Sequence, residues 1–97
     1  MKTLEEIKSI INQHRNILAD KYGVAVVGLF GSYVRDEQKM ESDIDLLADI
    51  LRPISLLELA GAEIYLGEIL GAKVDLVPKR SVRKELKAII LEEAIAL

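Results

Sequence analysis

Val24-Ala25-Val26-Val27-Gly28-Leu29-Phe30 is an unbroken uncharged run, rich in β-branched and large apolar residues, that stops at Gly31-Ser32. A continuous apolar stretch of this length reads as a strand buried on both faces. From Ser32 to Ser42 the chain turns polar and charged, and Asp43-Ile44-Asp45-Leu46-Leu47-Ala48-Asp49 then alternates acidic with aliphatic residues. That alternation predicts a second, half-buried strand over Asp43 to Asp49.

Working outward, Thr3 followed by Glu6 forms a capping-box signature, and Leu4, Ile7, Ile10, Ile11, Ile17 and Leu18 recur at helical spacing up to Gly23. The spacing predicts one amphipathic helix ahead of the first strand. Downstream, Pro53 breaks the chain, and Ser55 with Glu58 gives a second capping box. Leu56, Leu59, Ala60, Ile64 and Leu70 then mark a helix ending at Gly71. Lys73 to Val77 reads as a third strand closed by Pro78. Ser81 is the expected N-cap of a last helix, whose stripe of Val82, Leu86, Ile89, Ile90 and Ala94 is widened by Leu91, Ile95 and Leu97.

This order suits an α/β fold, a short mixed sheet packed with helices, as a single domain over residues 1–97. At 97 residues and 51% hydrophobic composition the chain can form a core, which excludes low-hydrophobicity disorder, and the absence of Cys excludes a disulfide framework. So small a domain leaves apolar surface for a partner chain or a second copy, and the C-terminal helix is the expected place. A net charge of −3 argues against broad nucleic-acid binding, so no direct nucleic-acid partner is expected. Glu5 and Glu6 stand where a secretory signal would be basic, and the uncharged run Gly23–Val34 falls short of the roughly 20 residues a membrane helix needs. The expected location is the cytoplasm, with no membrane partner.

The chemistry is carried by carboxylates. Asp43 and Asp45, two residues apart on a strand, project from one face while Ile44 and Leu46 take the other. Asp75 interrupts the apolar third strand and joins that face if the two strands are neighbours. Three such groups repel one another unless a cation neutralises them, and all-oxygen donors favour Mg²⁺ or Mn²⁺ over zinc. On alternation alone, Asp43 and Asp45 read rather as the solvent face of an ordinary amphipathic strand. The Gly31-Ser32 turn directly after a buried strand adds a backbone free of Cβ, a hydroxyl and N–H groups suited to phosphate.

Leu29-Phe30-Gly31-Ser32, then ten residues from Tyr33 to Ser42, then Asp43-Ile44-Asp45, resembles the signature of the DNA polymerase β-type nucleotidyltransferase superfamily. Gly31-Ser32-Tyr33-Val34-Arg35 and Ser42-Asp43-Ile44-Asp45-Leu46-Leu47 are especially similar to the minimal nucleotidyltransferases, the antitoxin partners of HEPN-domain toxins. Asp36 departs from the pattern, since many relatives carry Gly there. The resemblance implies a small polymerase β-like nucleotidyltransferase fold and ATP-dependent transfer of AMP to a tyrosine hydroxyl of a HEPN-domain toxin. It implies two Mg²⁺ ions held by Asp43 and Asp45, with Asp75 as third ligand and acceptor of the hydroxyl proton. Gly31, Ser32 and Arg35 would hold the nucleotide's phosphates. The alternative is a non-catalytic, nucleotide-binding antitoxin that neutralises its partner by complex formation.

Other polar residues have plainer readings. Lys73, Lys79 and Arg80 flank the Asp75 strand and are expected to face solvent, with attraction of a triphosphate as the alternative. His14, beside the apolar stripe of the first helix, is expected to pack or face solvent.

Overall fold

Two capping boxes start the first helix and the longest one, as the sequence spacing predicts. The computed structural model describes residues 2–31 and 43–97. In α1 (Leu4–Gln13) the Thr3 hydroxyl accepts the Glu6 N–H and the Glu6 carboxylate accepts the Thr3 N–H, each at 3.1 Å. The Thr3 backbone bond, helped by its hydroxyl, holds the Glu6 carboxyl below the usual carboxylate range. In α3 (Leu56–Leu70) Ser55 and Glu58 repeat the arrangement, and the helix ends at Gly71 in the left-handed conformation, φ 66°.

The expected single helix up to Gly23 is divided. After α1 the chain breaks at His14 (φ −111°, ψ 10°), makes one further turn as α2 (Arg15–Ile17), and widens into a π-helical segment over Leu18–Tyr22. Two long-range contacts hold this irregular stretch. His14 Nδ1 lies 2.6 Å from the Tyr65 hydroxyl on α3, so the histidine packs as expected. The Arg52 guanidinium donates to the carbonyls of Ala19, Asp20 and Lys21 at 2.9, 3.3 and 3.4 Å, satisfying acceptors near the end of the wide turn.

The strands are β1 (Val24–Phe30), β2 (Ile44–Ile50), β3 (Val74–Pro78) and β4 (Ile95–Ala96), in the spatial order β3-β2-β1-β4. β1 pairs antiparallel with both β2 and β4, whereas β2 and β3 run parallel, joined by the α3 crossover that a parallel pair requires. The sheet is therefore mixed. One face carries Val24, Val26, Leu29, Ile44, Leu46, Ala48, Val74 and Leu76 into a core shared with Ile7 and Ile11 of α1 and Ala62, Leu66 and Leu70 of α3.

β1 does not alternate simply. Between Val26 and Gly28 the register slips by one residue, so Val26 opposes Ala48 while Gly28 opposes Leu47. This bulge at Val27 restarts the alternation: Leu29 enters the core, and Phe30 comes to the opposite face. Gly28 suits the position, because a Cβ there would lie 3.5 Å from the Ala94 Cβ of the C-terminal segment.

The C-terminus differs from the sequence expectation in two ways. Lys79–Ser81 form a 3-10 turn and α4 (Lys84–Glu93) begins after Arg83, so Ser81 is not its N-cap. The helix also stops before Ala94, and Ile95–Ala96 pair with Leu29 and Gly28 as a fourth strand that helical periodicity had absorbed. The free edge of β1 supplies the backbone partners that make two residues extend. Among the described residues no helix is long and apolar enough to cross a membrane.

Candidate active site

The sheet face turned away from the core carries two of the residues that the sequence singles out, Asp45 and Asp75. Ile44, Leu46, Val74 and Leu76 take the core side, which directs the intervening Asp45 and Asp75 to the other side. Asp45 and Asp75 are register partners in the parallel pairing of β2 and β3, on backbones separated by about 4.8 Å. Phe30 opposes Asp45 from the other neighbouring strand, and Gly31 follows it.

Gly31 has φ 81°, the left-handed region, and is buried. A Cβ built on it would stand 2.9 Å from the Asp45 Cγ and closer still to the carboxylate oxygen Oδ2. The glycine that ends β1 thus meets the carboxylate of β2 directly. Any L side chain here would be strained by the backbone and would collide with Asp45.

Asp43 precedes β2 by one residue, where the Ile44 N–H donates to the Lys73 carbonyl at 2.9 Å and ties the start of β2 to β3. Asp43, Lys73 and Asp75 line one open cleft of about 510 Å³ with Ala60, Glu63, Ile64 and Gly67 of α3. Those α3 residues recur at three- and four-residue steps, so one stripe of the helix forms the far wall. Asp43 is half-buried, whereas Asp75 and Lys73 are exposed.

Glu63 is the residue that sequence reasoning missed. Its Oε2 accepts the Leu76 N–H at 2.8 Å, closing part of the outer edge of β3 and fastening the strand that carries Asp75 to α3. The signal was a lone acid in the otherwise uncharged stripe Ala60, Ile64, Gly67 of α3. Lys73 is exposed, as expected of a strand-end residue, and its side of the strand also lines the cleft. Lys79 and Arg80 do not line that cleft. Ser32 and Arg35, both expected to hold phosphates, lie outside the described residues, as does the whole segment 32–42.

Among the described residues, no three His, Cys, Asp or Glu side chains close on a point that would hold a metal ion. Asp43 and Asp45 sit about 6.6 to 6.8 Å apart along an extended chain, and like charges have no reason to converge without a cation. The donor chemistry nonetheless fits a hard divalent ion: carboxylate oxygens on adjacent strands, Asp75 exposed, and no Cys in the chain.

The family described as the nucleotidyltransferase domain matches residues 11–97. This chain belongs to that family. A relative from Methanocaldococcus jannaschii that bears the name of a protein adenylyltransferase is 55% identical over 82 residues, 84% of each chain. The protein adenylyltransferase MntA of Thermococcus cleftensis is 44% identical over 95 residues, covering 98% of this chain and 96% of its own. Among solved structures, one described as a minimal nucleotidyltransferase superposes with a TM-score of 0.81 at 32% identity, covering 99% of this chain and 97% of that one. A toxin–antitoxin complex with AMP-PNP contains a chain similar at TM-score 0.71 and 25% identity, with 89% of this chain and 70% of that one covered. The mixed four-stranded sheet is thus the minimal nucleotidyltransferase fold that the motif implied, and the chain is a nucleotidyltransferase.

Proposed function

We propose that this nucleotidyltransferase acts as an antitoxin, moving AMP from ATP onto a tyrosine hydroxyl of a HEPN-domain toxin. The observation that carries the chemistry is the pairing of Asp45 with Asp75 on one sheet face, with Gly31 cleared of any side chain beside them. The protein adenylyltransferase relatives and the AMP-PNP-bound toxin–antitoxin neighbour support the nucleotide and the kind of partner.

In this reading the tyrosine oxygen attacks the α-phosphorus of ATP. A new P–O bond to the tyrosine forms, the bond from the α-phosphorus to the bridging oxygen breaks, and pyrophosphate leaves with that electron pair. Asp43 and Asp45 would hold two magnesium ions, with Asp75 as a further ligand, and the chemistry these would supply is neutralisation of charge on the triphosphate and on the attacking and departing oxygens. An Asp75 carboxylate oxygen receives the tyrosine proton, a role its exposure on the cleft supports. Ser32, the backbone after Gly31, and Arg35 hold the phosphates. The whole chain works as one domain in the cytoplasm, and exposed Leu86, Ile89 and Leu91 on α4 support docking of a partner protein.

The test is intact-mass spectrometry of a HEPN-domain protein after incubation with the chain, ATP and Mg²⁺, with an Asp43→Ala, Asp45→Ala double variant in parallel. A gain of one or more AMP masses only with the unaltered chain is expected. A stable complex with no mass gain would overturn the transfer and leave an antitoxin that acts by occupation.

A further inference from the structure

Acidic groups crowd the cleft. Asp43, Glu63 and Asp75 line it, and Asp45 stands in register beside Asp75, so a polyanion in the cleft meets three carboxylates with a fourth next to them. Among the described residues one cationic side chain lines the same cleft, that of Lys73. It sits across the β2–β3 pairing from Asp43, immediately before the register pair Ile44 and Val74 and two residues ahead of Asp75 on β3. The structure pairs its ammonium with no carboxylate among the described residues, although Asp43 and Asp75 share the cleft. Its backbone is committed to the fold through the carbonyl that accepts the Ile44 N–H, whereas its side chain is exposed.

We propose that Lys73 is a substrate-binding residue whose ammonium contacts the phosphates of the nucleotide, offsetting the carboxylates around them. This rests on the nucleotide-transfer reading above. The division of labour follows from the placement. The carboxylates of β2 and β3 suit cations, and among the described residues the cleft offers one positive charge on a long stem, which binds phosphate as a point charge without fixed geometry. Lys79 and Arg80, nearby in sequence but off the cleft, have no such position.

The experiment titrates AMP-PNP with Mg²⁺, and separately adenosine, into the full chain and its Lys73→Ala, Lys73→Gln and Lys73→Arg variants. Mn²⁺ affinity is followed by electron paramagnetic resonance. Loss of one charge-assisted phosphate contact weakens AMP-PNP binding about 10- to 100-fold in the Ala and Gln variants. Adenosine affinity stays unchanged, and Lys73→Arg recovers most of the loss. Because the fold uses only the Lys73 carbonyl, all three variants are expected to fold. Unchanged AMP-PNP affinity with tighter Mn²⁺ binding in Lys73→Ala would overturn the proposal and make Lys73 a counter-ion of the carboxylates. An equal loss for adenosine would overturn it as well. Failure of the unaltered chain to bind AMP-PNP would overturn the nucleotide-transfer reading together with this inference.

Discussion

Gly31 lies against the carboxylate of Asp45 in a left-handed conformation, φ 81°, that leaves no space for a Cβ. Gly31→Ala therefore meets two costs at once, an αL backbone worth about 1–2 kcal/mol for an L residue and displacement of the Asp45 side chain. Urea denaturation is expected to show a loss of about 1–3 kcal/mol, and pyrophosphate release with a HEPN-type acceptor to fall at least about tenfold. Wild-type release by Gly31→Ala would mean that the Asp45 position is unimportant.

Asp75 is exposed and belongs to no ion pair among the described residues. Asp75→Asn should keep stability within about 0.5 kcal/mol of the parent, because it removes a charge facing Asp45 without opening the core. As a proton acceptor its loss is expected to lower turnover by about 100-fold or more. Single-turnover mass spectrometry alongside chemical denaturation separates the two effects, and a fall in stability matching the fall in rate would make Asp75 structural.

Glu63 holds the edge of β3 through the Leu76 N–H at 2.8 Å. Glu63→Leu leaves that donor without its charged acceptor and is expected to cost about 1–3 kcal/mol, whereas Glu63→Gln keeps an accepting oxygen and recovers part of it. Amide hydrogen exchange at Leu76 reports the bond directly. Equal protection in the parent and Glu63→Leu would show that the strand edge does not depend on this side chain.

The Glu6 carboxyl is held below its ordinary range, chiefly by the Thr3 N–H and then by the Thr3 hydroxyl. A depressed folded-state value gives stability that is present above the unfolded value and lost as pH falls through the folded one. Acidification should therefore loosen the first turn of α1, and Glu6→Gln should remove that pH dependence. Exchange rates of the Thr3 and Glu6 amides, measured across the acidic range, check the sign. Tightening of this turn on acidification would contradict the assignment.

Much of the fold was legible because it is written locally. Thr3 with Glu6 and Ser55 with Glu58 start helices through contacts three residues apart, and both capping boxes form. The apolar run Val24–Phe30 and the alternating Ile44–Ile50 are strands, and Asp45 points away from the core as a period of two requires. The failures lie where distant residues override local preference. Arg52 and Tyr65 hold the chain after His14 in an irregular path, and the open edge of β1 turns Ile95–Ala96 from helix to strand.

By itself the sequence determined that Asp45 turns away from the core side of its strand, where α1 and α3 begin, and which family signature the chain carries, since each depends on residues a few positions apart. Only the tertiary structure decided that β3 lies parallel beside β2 with Asp75 opposite Asp45, and that a bulge at Val27 swings Phe30 and Gly31 onto the same face. It also decided that Glu63 and Lys73 reach the cleft. These are questions of register between segments far apart in the chain. A one-residue slip would carry every side chain to the other face, so register is fixed by which apolar residues the core can bury together and not by any local pattern.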